Sequence, residues 1–190
     1  MSSYYRIADH IINIINNGNK LSTLSLLPSF VPFKCDNLLN EKILFKLTID
    51  QSVTLIESDK VHHIRAFDTG NGDTVVDRLD NGGYQFLIKN IQGENCVLLI
   101  TNKDFSDCRC RLYGTDNMQR FGLNNALMLV MAFAGSSKDT ILVHASLVRH
   151  NNYGYAFIAK SGTGKSTQVS LWLKYIPNCD LMNDDNPVIR

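Results

Sequence analysis

Residues 155–167 read Y-A-F-I-A-K-S-G-T-G-K-S-T, and the rest of the chain is interpreted around this stretch. The run before the glycines is apolar and short, which is typical of a buried strand. Residues 159–166 then fit the pattern of a phosphate-binding P-loop, with Ala159 in place of the usual first glycine. Residues 168–176 carry apolar side chains at helical spacing. The stretch therefore predicts a strand, a glycine-rich loop and a helix, in that order.

The residue types of this loop suit the binding of a phosphate chain. Gly162 and Gly164 let the backbone turn so that successive N–H groups face the anion, and a helix beginning near Lys165 adds its positive end. The Lys165 ammonium would reach the β- and γ-phosphates, and the Ser166 hydroxyl would ligate Mg²⁺. A glycine-rich turn without any ligand is the alternative. The residues predicted to bind ATP are Ser161, Gly162, Thr163, Gly164, Lys165, Ser166 and Thr167.

A pair of adjacent carboxylates follows the predicted helix. Asp184 and Asp185 come at the end of a short apolar run, which we expect to form a strand beside the strand that leads into the loop. Adjacent carboxylates repel each other unless a cation lies between them, and Mg²⁺ would supply that cation. One acid would hold the metal through water, and the other would accept the proton of an attacking hydroxyl. Without the loop, the same residues would indicate only an Asx-rich turn.

Residues 140–148 form a second informative stretch, predicted to be a strand. In that strand His144 would share a face with Ser146 and Val148. A turn over residues 149–154 would pair the strand with residues 155–159 as a hairpin and bring it close to the loop. Considered by itself, His144 is more often a hydrogen-bonded core histidine than a catalyst.

The first part of the chain is predicted to be rich in β-strands. Gly/Asn/Asp turn clusters separate its apolar runs, a spacing that favours an antiparallel meander. The apolar runs are residues 43–49, 53–56, 62–67, 74–79, 84–88, 97–101 and 110–113. We also expect a strand at residues 6–12, a short helical turn at 21–27 and an extended segment at 29–33.

One long helix is expected between the two regions. Residues 118–134 carry a wide apolar stripe, with Thr115 and Asp116 placed to cap its start and Gly135 placed to end it. Such a helix would cover one face of a sheet. We place a domain boundary before it, which divides the chain into residues 1–114 and 115–190.

Composition excludes several classes of protein. Hydrophobic residues make up 44% of the 190 residues, enough for a core, and a formal charge of +1 argues against binding to nucleic acid or to an anionic membrane. No apolar run reaches transmembrane length, and the first residues lack the apolar segment of a signal peptide, which predicts a cytoplasmic protein. Five scattered cysteines favour reduced thiols over a disulfide framework.

Three motifs in order resemble a known family. His144-Ala145-Ser146, the A-K-S-G-T-G-K-S-T loop and the L-M-N-D-D-N-P-V-I-R ending are similar to the catalytic domain of HPr kinase/phosphorylase. The loop and the acid pair are equally similar to ATP-dependent phosphoenolpyruvate carboxykinase. The resemblance covers residues 139–190. It implies an α+β chain, in which a β-rich antiparallel N-terminal region precedes the start of a P-loop α/β domain of the phosphoenolpyruvate carboxykinase/HPr kinase-like kind.

The resemblance also implies a role for each site residue. By similarity His144 would assist Asp184, Asp184 would accept the proton, and Asp185 with Ser166 would hold Mg²⁺, while Lys165 acts on the phosphates of ATP. The implied function is the transfer of a phosphoryl group from Mg-ATP to a hydroxyl of a protein or peptide. The alternatives are a nucleotide-binding regulatory module without turnover, and a phosphoenolpyruvate carboxykinase-like enzyme acting on a small carboxylic acid.

Two features depart from the family pattern. Ala159 replaces the first glycine of the loop, and the chain stops at Arg190, before the glycine-rich and basic segments that the family uses for its partner. We therefore expect an incomplete, truncated domain with an unpaired sheet edge. Exposed edges favour association, so we expect the chain to be marginally stable or to self-associate as a homo-oligomer, with little phosphoryl transfer.

Overall fold

The computed structural model of the chain describes residues 1–36, 41–68 and 71–190. Strands account for 43% of it and helices for 23%, so the expectation of a β-rich α+β chain is confirmed at that level. The chain divides into two units, Met1–Lys138 and Asp139–Arg190.

The first unit is built on one large mixed sheet. Among the described residues its nine strands lie in the order β3-β1-β2-β4-β9-β8-β7-β6-β5. The strands are β1 Ser2–Ile7, β2 His10–Asn17, β3 Lys34–Cys35, β4 Ile43–Asp50, β5 Val61–Asp68, β6 Asp73–Leu79, β7 Tyr84–Lys89, β8 Asn95–Thr101 and β9 Asp107–Leu112. Strands β5 to β9 form the predicted antiparallel meander. The sheet as a whole is mixed, because β4 runs parallel to both β2 and β9.

The predicted single strand at residues 6–12 is wrong. The chain reverses at Ala8 and Asp9, where φ is 47° and 61°, and β1 and β2 pair as an antiparallel hairpin. A two-residue turn with two positive φ angles usually contains glycine or asparagine. Because alanine comes first here, the turn left little trace in the sequence and the apolar pattern looked continuous.

Two other expected extended segments also differ from the structure. Residues 29–33 lie in a 3₁₀ helix, Pro28–Phe33, which begins at a proline. Residues 53–56 form no strand, and the Ile56 N–H donates to Gln85 Oε1 at 2.8 Å. The backbone of this loop thus bonds to a buried side chain of β7 rather than to a neighbouring strand. The predicted helical turn near residues 21–27 is present as α1, Thr23–Leu26.

The predicted long helix is confirmed as α2, Asp116–Gly135. Thr115 caps it, since its Oγ1 accepts a hydrogen bond from the Met118 N–H at 3.4 Å. The helix contacts β4, β7, β8 and β9, so it belongs to the first unit. A Cβ at Gly122 would lie 2.9 Å from the Cys96 backbone, so glycine permits this close approach to β8. The division of the chain therefore falls after the helix, not before it.

All five cysteines are free thiols. Cys96, Cys108 and Cys110 are fully buried, while Cys35 and Cys179 are partly exposed. Burial raises the pKa of all three buried thiols, that of Cys108 to about 12. A thiol with a raised pKa stays protonated at pH 8, and the protonated form is not the nucleophile.

The cysteines give a first testable prediction. We expect Ellman's reagent at pH 8 to react with Cys35 and Cys179 in the folded protein, and with the three buried thiols only after a denaturant is added. The number of protein thiols that react with the reagent in each condition is the measurement. Rapid reaction of Cys96, Cys108 or Cys110 without denaturant would show that the core of the first unit is open.

The second unit contains two small sheets and one long helix. Its described elements are β10 Ile141–Leu142, β11 Ala145–His150, β12 Tyr153–Ile158, α3 Lys165–Tyr175, β13 Cys179–Asn183 and β14 Val188–Ile189. Strands β11 and β12 form the predicted hairpin, with the turn at Asn151 and Asn152. The predicted strand at residues 140–148 is interrupted, because residues 143 and 144 belong to neither β10 nor β11.

The expected position of β13 is wrong. It pairs with β11 rather than with β12, so the sheet order is β12-β11-β13. Both β12 and β13 are antiparallel to β11, and they therefore run parallel to each other with β11 between them. Helix α3 covers this sheet through buried Val169 and through Trp172, whose ring lies 5.0 Å from that of Tyr155.

Within the described residues, no helix combines the length and hydropathy required to cross a bilayer.

Candidate functional site

Strand directions bring three separate parts of the second unit to one edge of its sheet. Strand β11 begins at this edge, directly after His144, whereas β12 and β13 end there. The residues that follow β12 are the glycine-rich loop, and the residues that follow β13 include Asp184 and Asp185. An antiparallel strand between two parallel ones thus places its own beginning beside their ends.

An open pocket of about 370 Å³ lies at this edge. It is lined by His144, Ser161, Gly162, Gly164, Lys165, Ser166, Thr167, Asp184 and Asp185. Apart from Thr163, these are the site residues predicted from the sequence. Thr163 instead closes the loop, because its Oγ1 donates to the Lys160 carbonyl at 2.7 Å. The structure therefore gathers the candidate residues around one pocket.

The two loop glycines adopt backbone conformations that favour glycine. Their φ angles are 79° at Gly162 and 92° at Gly164, in the left-handed region. A Cβ at Gly162 would meet no atom within 4 Å, so the conformation rather than crowding calls for glycine. Gly164 is also the N-cap of α3 and offers no side chain to bond the first amides of the helix. The positive end of α3 is therefore directed at the pocket.

Lys165 is folded back onto its own loop. Its Nζ lies 3.0 Å from His144 Nε2, 3.0 Å from the Ala159 carbonyl oxygen and 3.4 Å from the Lys160 carbonyl oxygen. An ammonium has three N–H donors and no acceptor. A contact with this donor requires His144 Nε2 to be the acceptor, which corresponds to the tautomer that carries its hydrogen on Nδ1.

The other side of the His144 ring faces Asp185. His144 Nδ1 lies 3.4 Å from Asp185 Oδ1, and both side chains are more than half exposed. The resemblance implied that His144 would assist Asp184, but the structure pairs it with Asp185. The reason lies in the backbone, because the Ala145 N–H donates to the Asp185 carbonyl at 3.0 Å and ties Asp185 to the start of β11.

Asn183, which was not among the predicted site residues, helps to shape the acid pair. Asn183 Oδ1 accepts a hydrogen bond from the Asp185 N–H at 2.9 Å and so forms an Asx turn. The run Asn183-Asp184-Asp185 carried that signal, since asparagine before a turn commonly bonds the backbone two residues ahead. The turn directs the two neighbouring acids into the pocket.

The pocket contains oxygen donors that could hold a hard cation such as Mg²⁺. Among the described residues, no three His, Cys, Asp or Glu side chains come together as a metal-binding group. Ser166 and Asp185 both line the pocket. Mg²⁺ is commonly held by one or two carboxylates together with phosphate oxygens and water, and Ser166 and Asp185 could supply a hydroxyl and a carboxylate to such a set.

Comparison with known proteins adds no further constraint. The chain matches no protein-family model, no curated protein and no solved structure. The site is therefore described by its own residues. A glycine-rich loop, a lysine, a histidine and two acids surround one open pocket.

Proposed function

We propose that this chain is an HPr kinase-like protein that binds Mg-ATP and transfers the terminal phosphoryl group to a hydroxyl of a protein or peptide. One observation carries the proposal. A single pocket gathers the phosphate-loop pattern, Lys165, Ser166 and the acid pair, which come from chain segments that follow different strands. These are the parts that phosphoryl transfer requires, namely a phosphate cradle, a metal position and a proton acceptor.

The order of elements supports a P-loop assignment for the second unit. Strand β12 leads into the loop, the loop ends at Gly164, and α3 begins at Lys165. In this arrangement backbone amides and the positive end of the helix face the phosphate chain. We therefore assign residues 139–190 to the phosphoenolpyruvate carboxykinase/HPr kinase-like kind of P-loop domain.

The proposed reaction uses the acids for different tasks. Asp184 accepts the proton of the hydroxyl that receives the phosphoryl group. The oxygen of that hydroxyl then bonds to the γ-phosphorus, and the bond from the γ-phosphorus to the bridging oxygen of ADP breaks. Lys165 donates to the β- and γ-phosphate oxygens. Ser166 and Asp185 would hold Mg²⁺, which neutralises charge on the phosphate chain.

The second candidate is a regulatory module that binds nucleotide without turnover. The open site favours it, because the side chains of His144 and Asp185 are 51% and 74% exposed. Phosphoryl transfer to a hydroxyl competes with water unless the site excludes solvent. Incubation with γ-labelled ATP and a cell lysate, followed by a mass-spectrometric search for phosphorylated proteins, separates the two. Nucleotide binding without any labelled protein would select the regulatory module.

Removal of the proposed metal ligand gives a further prediction. We expect Asp185→Asn to raise the Mg²⁺ concentration needed for half-maximal ATP binding by about tenfold, because a neutral amide is a weaker ligand for a hard cation than a carboxylate. Titration with Mg²⁺ at a fixed ATP concentration measures the shift. Asp107→Asn is the control, since Asp107 forms an exposed ion pair with Lys46 in the first unit. An unchanged Mg²⁺ requirement in Asp185→Asn would remove Asp185 from the metal site.

A further inference from the structure

His144 occupies a position in the site that the proposed reaction leaves unexplained. Its ring joins the lysine to the acid pair through Lys165 Nζ at 3.0 Å and Asp185 Oδ1 at 3.4 Å. Because a hydrogen bond from an ammonium occupies Nε2, the ring in this state has no free lone pair with which to accept a proton. The geometry therefore assigns His144 a task other than that of a general base.

The surroundings of the Lys165 ammonium show what that task is. Its three donors meet three acceptors, which are His144 Nε2 and the carbonyl oxygens of Ala159 and Lys160. A phosphate oxygen can bond to this ammonium only by replacing one of them. The two carbonyls belong to the loop itself, whereas His144 comes from the segment before β11. The imidazole is thus the partner that substitution can remove without altering the loop.

We propose that His144 is a positioning residue that holds the Lys165 side chain against its own loop and competes with phosphate for its ammonium. Asp185 sets the orientation of the ring, since it faces the Nδ1–H and leaves Nε2 directed at the lysine. This inference rests on the proposed function and adds regulation of the same site. Phosphate binding releases His144 from the lysine, so the protein binds nucleotide less tightly than the loop alone would allow.

The expected sign of the effect is unusual for a residue that lines a binding pocket. Removing the competitor should strengthen binding, whereas removing a residue that contacts the nucleotide would weaken it. We expect His144→Ala to bind Mg-ATP about three- to tenfold more tightly than the wild type, a modest gain because the imidazole is half exposed. His144→Gln keeps a side-chain acceptor for Lys165 and should therefore gain less affinity than His144→Ala.

Isothermal titration of Mg-ATP into the full chain measures these affinities. His62→Ala is the matched control, because His62 is an exposed histidine of the first unit. A merely structural role of His144 is tested by a double-mutant cycle with Lys165→Ala. In that background no ammonium remains to be held, so His144→Ala should bring no gain in affinity. Thermal unfolding of each variant verifies that it is folded.

The outcomes separate this inference from the function on which it rests. Binding by the wild type together with equal or weaker binding by His144→Ala would overturn the role of His144 and leave ATP binding in place. A gain in affinity that persists in the Lys165→Ala background would also overturn it, since the effect would not pass through the lysine. Absence of ATP binding in the wild type and in every variant would overturn the proposed function, and this inference with it.

Discussion

Replacement of Lys165 by alanine is expected to weaken the binding of Mg-ATP by tenfold or more. Hydrogen bonds that involve a charged group contribute roughly 1.5–3 kcal/mol each, and a tenfold change in affinity corresponds to about 1.4 kcal/mol. Lys165 Nζ already has three protein acceptors and gives one of them up for a phosphate oxygen, which keeps the net effect toward the lower end. Isothermal titration of the wild type and the variant measures the difference.

Lys174→Ala is the matched control for this prediction. Lys174 lies in the last turn of the same helix, where its Nζ stands 4.9 Å from the centre of the Tyr175 ring and outside the pocket. The Lys174→Ala substitution removes the same charge from the unit without changing the loop. The affinity of this variant for ATP should therefore equal that of the wild type. Equal affinity in Lys165→Ala as well would show that the loop is a glycine-rich turn and does not bind phosphate.

Replacement of Asp184 by asparagine is expected to lower phosphoryl transfer by about 10²–10⁴ while ATP binding is kept. The amide preserves the shape of the side chain but cannot take the proton of the attacking hydroxyl, and general-base catalysis contributes on this order. Labelled phosphate transferred from ATP to proteins of a lysate gives the rate. Titration of ATP into the same variant verifies binding.

Asp180→Asn controls for the loss of a carboxylate in β13, the strand that leads into Asp184. Asp180 accepts two hydrogen bonds from Arg149 at 3.0 and 2.8 Å across β11 and β13, and it does not line the pocket. We expect its transfer rate to stay close to that of the wild type. If Asp185→Asn loses transfer and Asp184→Asn instead raises the Mg²⁺ requirement, the two acids exchange roles. The comparison matters because His144 contacts Asp185, whereas the resemblance implied that it assists Asp184.

The sequence by itself determined the elements whose causes are local. Helix α2 begins after Thr115 because that side chain caps it, and α3 begins after two glycines that turn the backbone. The hairpin of β11 and β12 and the meander of β5 to β9 follow from apolar runs separated by turn residues. The candidate site residues were predicted for the same reason, because the loop pattern and the acid pair are each contained in a few consecutive residues.

Only the tertiary structure decided which strands are neighbours. Strand β4 lies between β2 and β9, and β13 lies beside β11 instead of β12. Alternating apolar residues specify which faces of a strand are buried, but they carry no information about a partner distant in the chain. The pairing of His144 with Asp185 depends on that choice of neighbour, because the Asp185 carbonyl bonds the Ala145 N–H at the start of β11. The list of site residues was thus local information, whereas their mutual contacts required the fold.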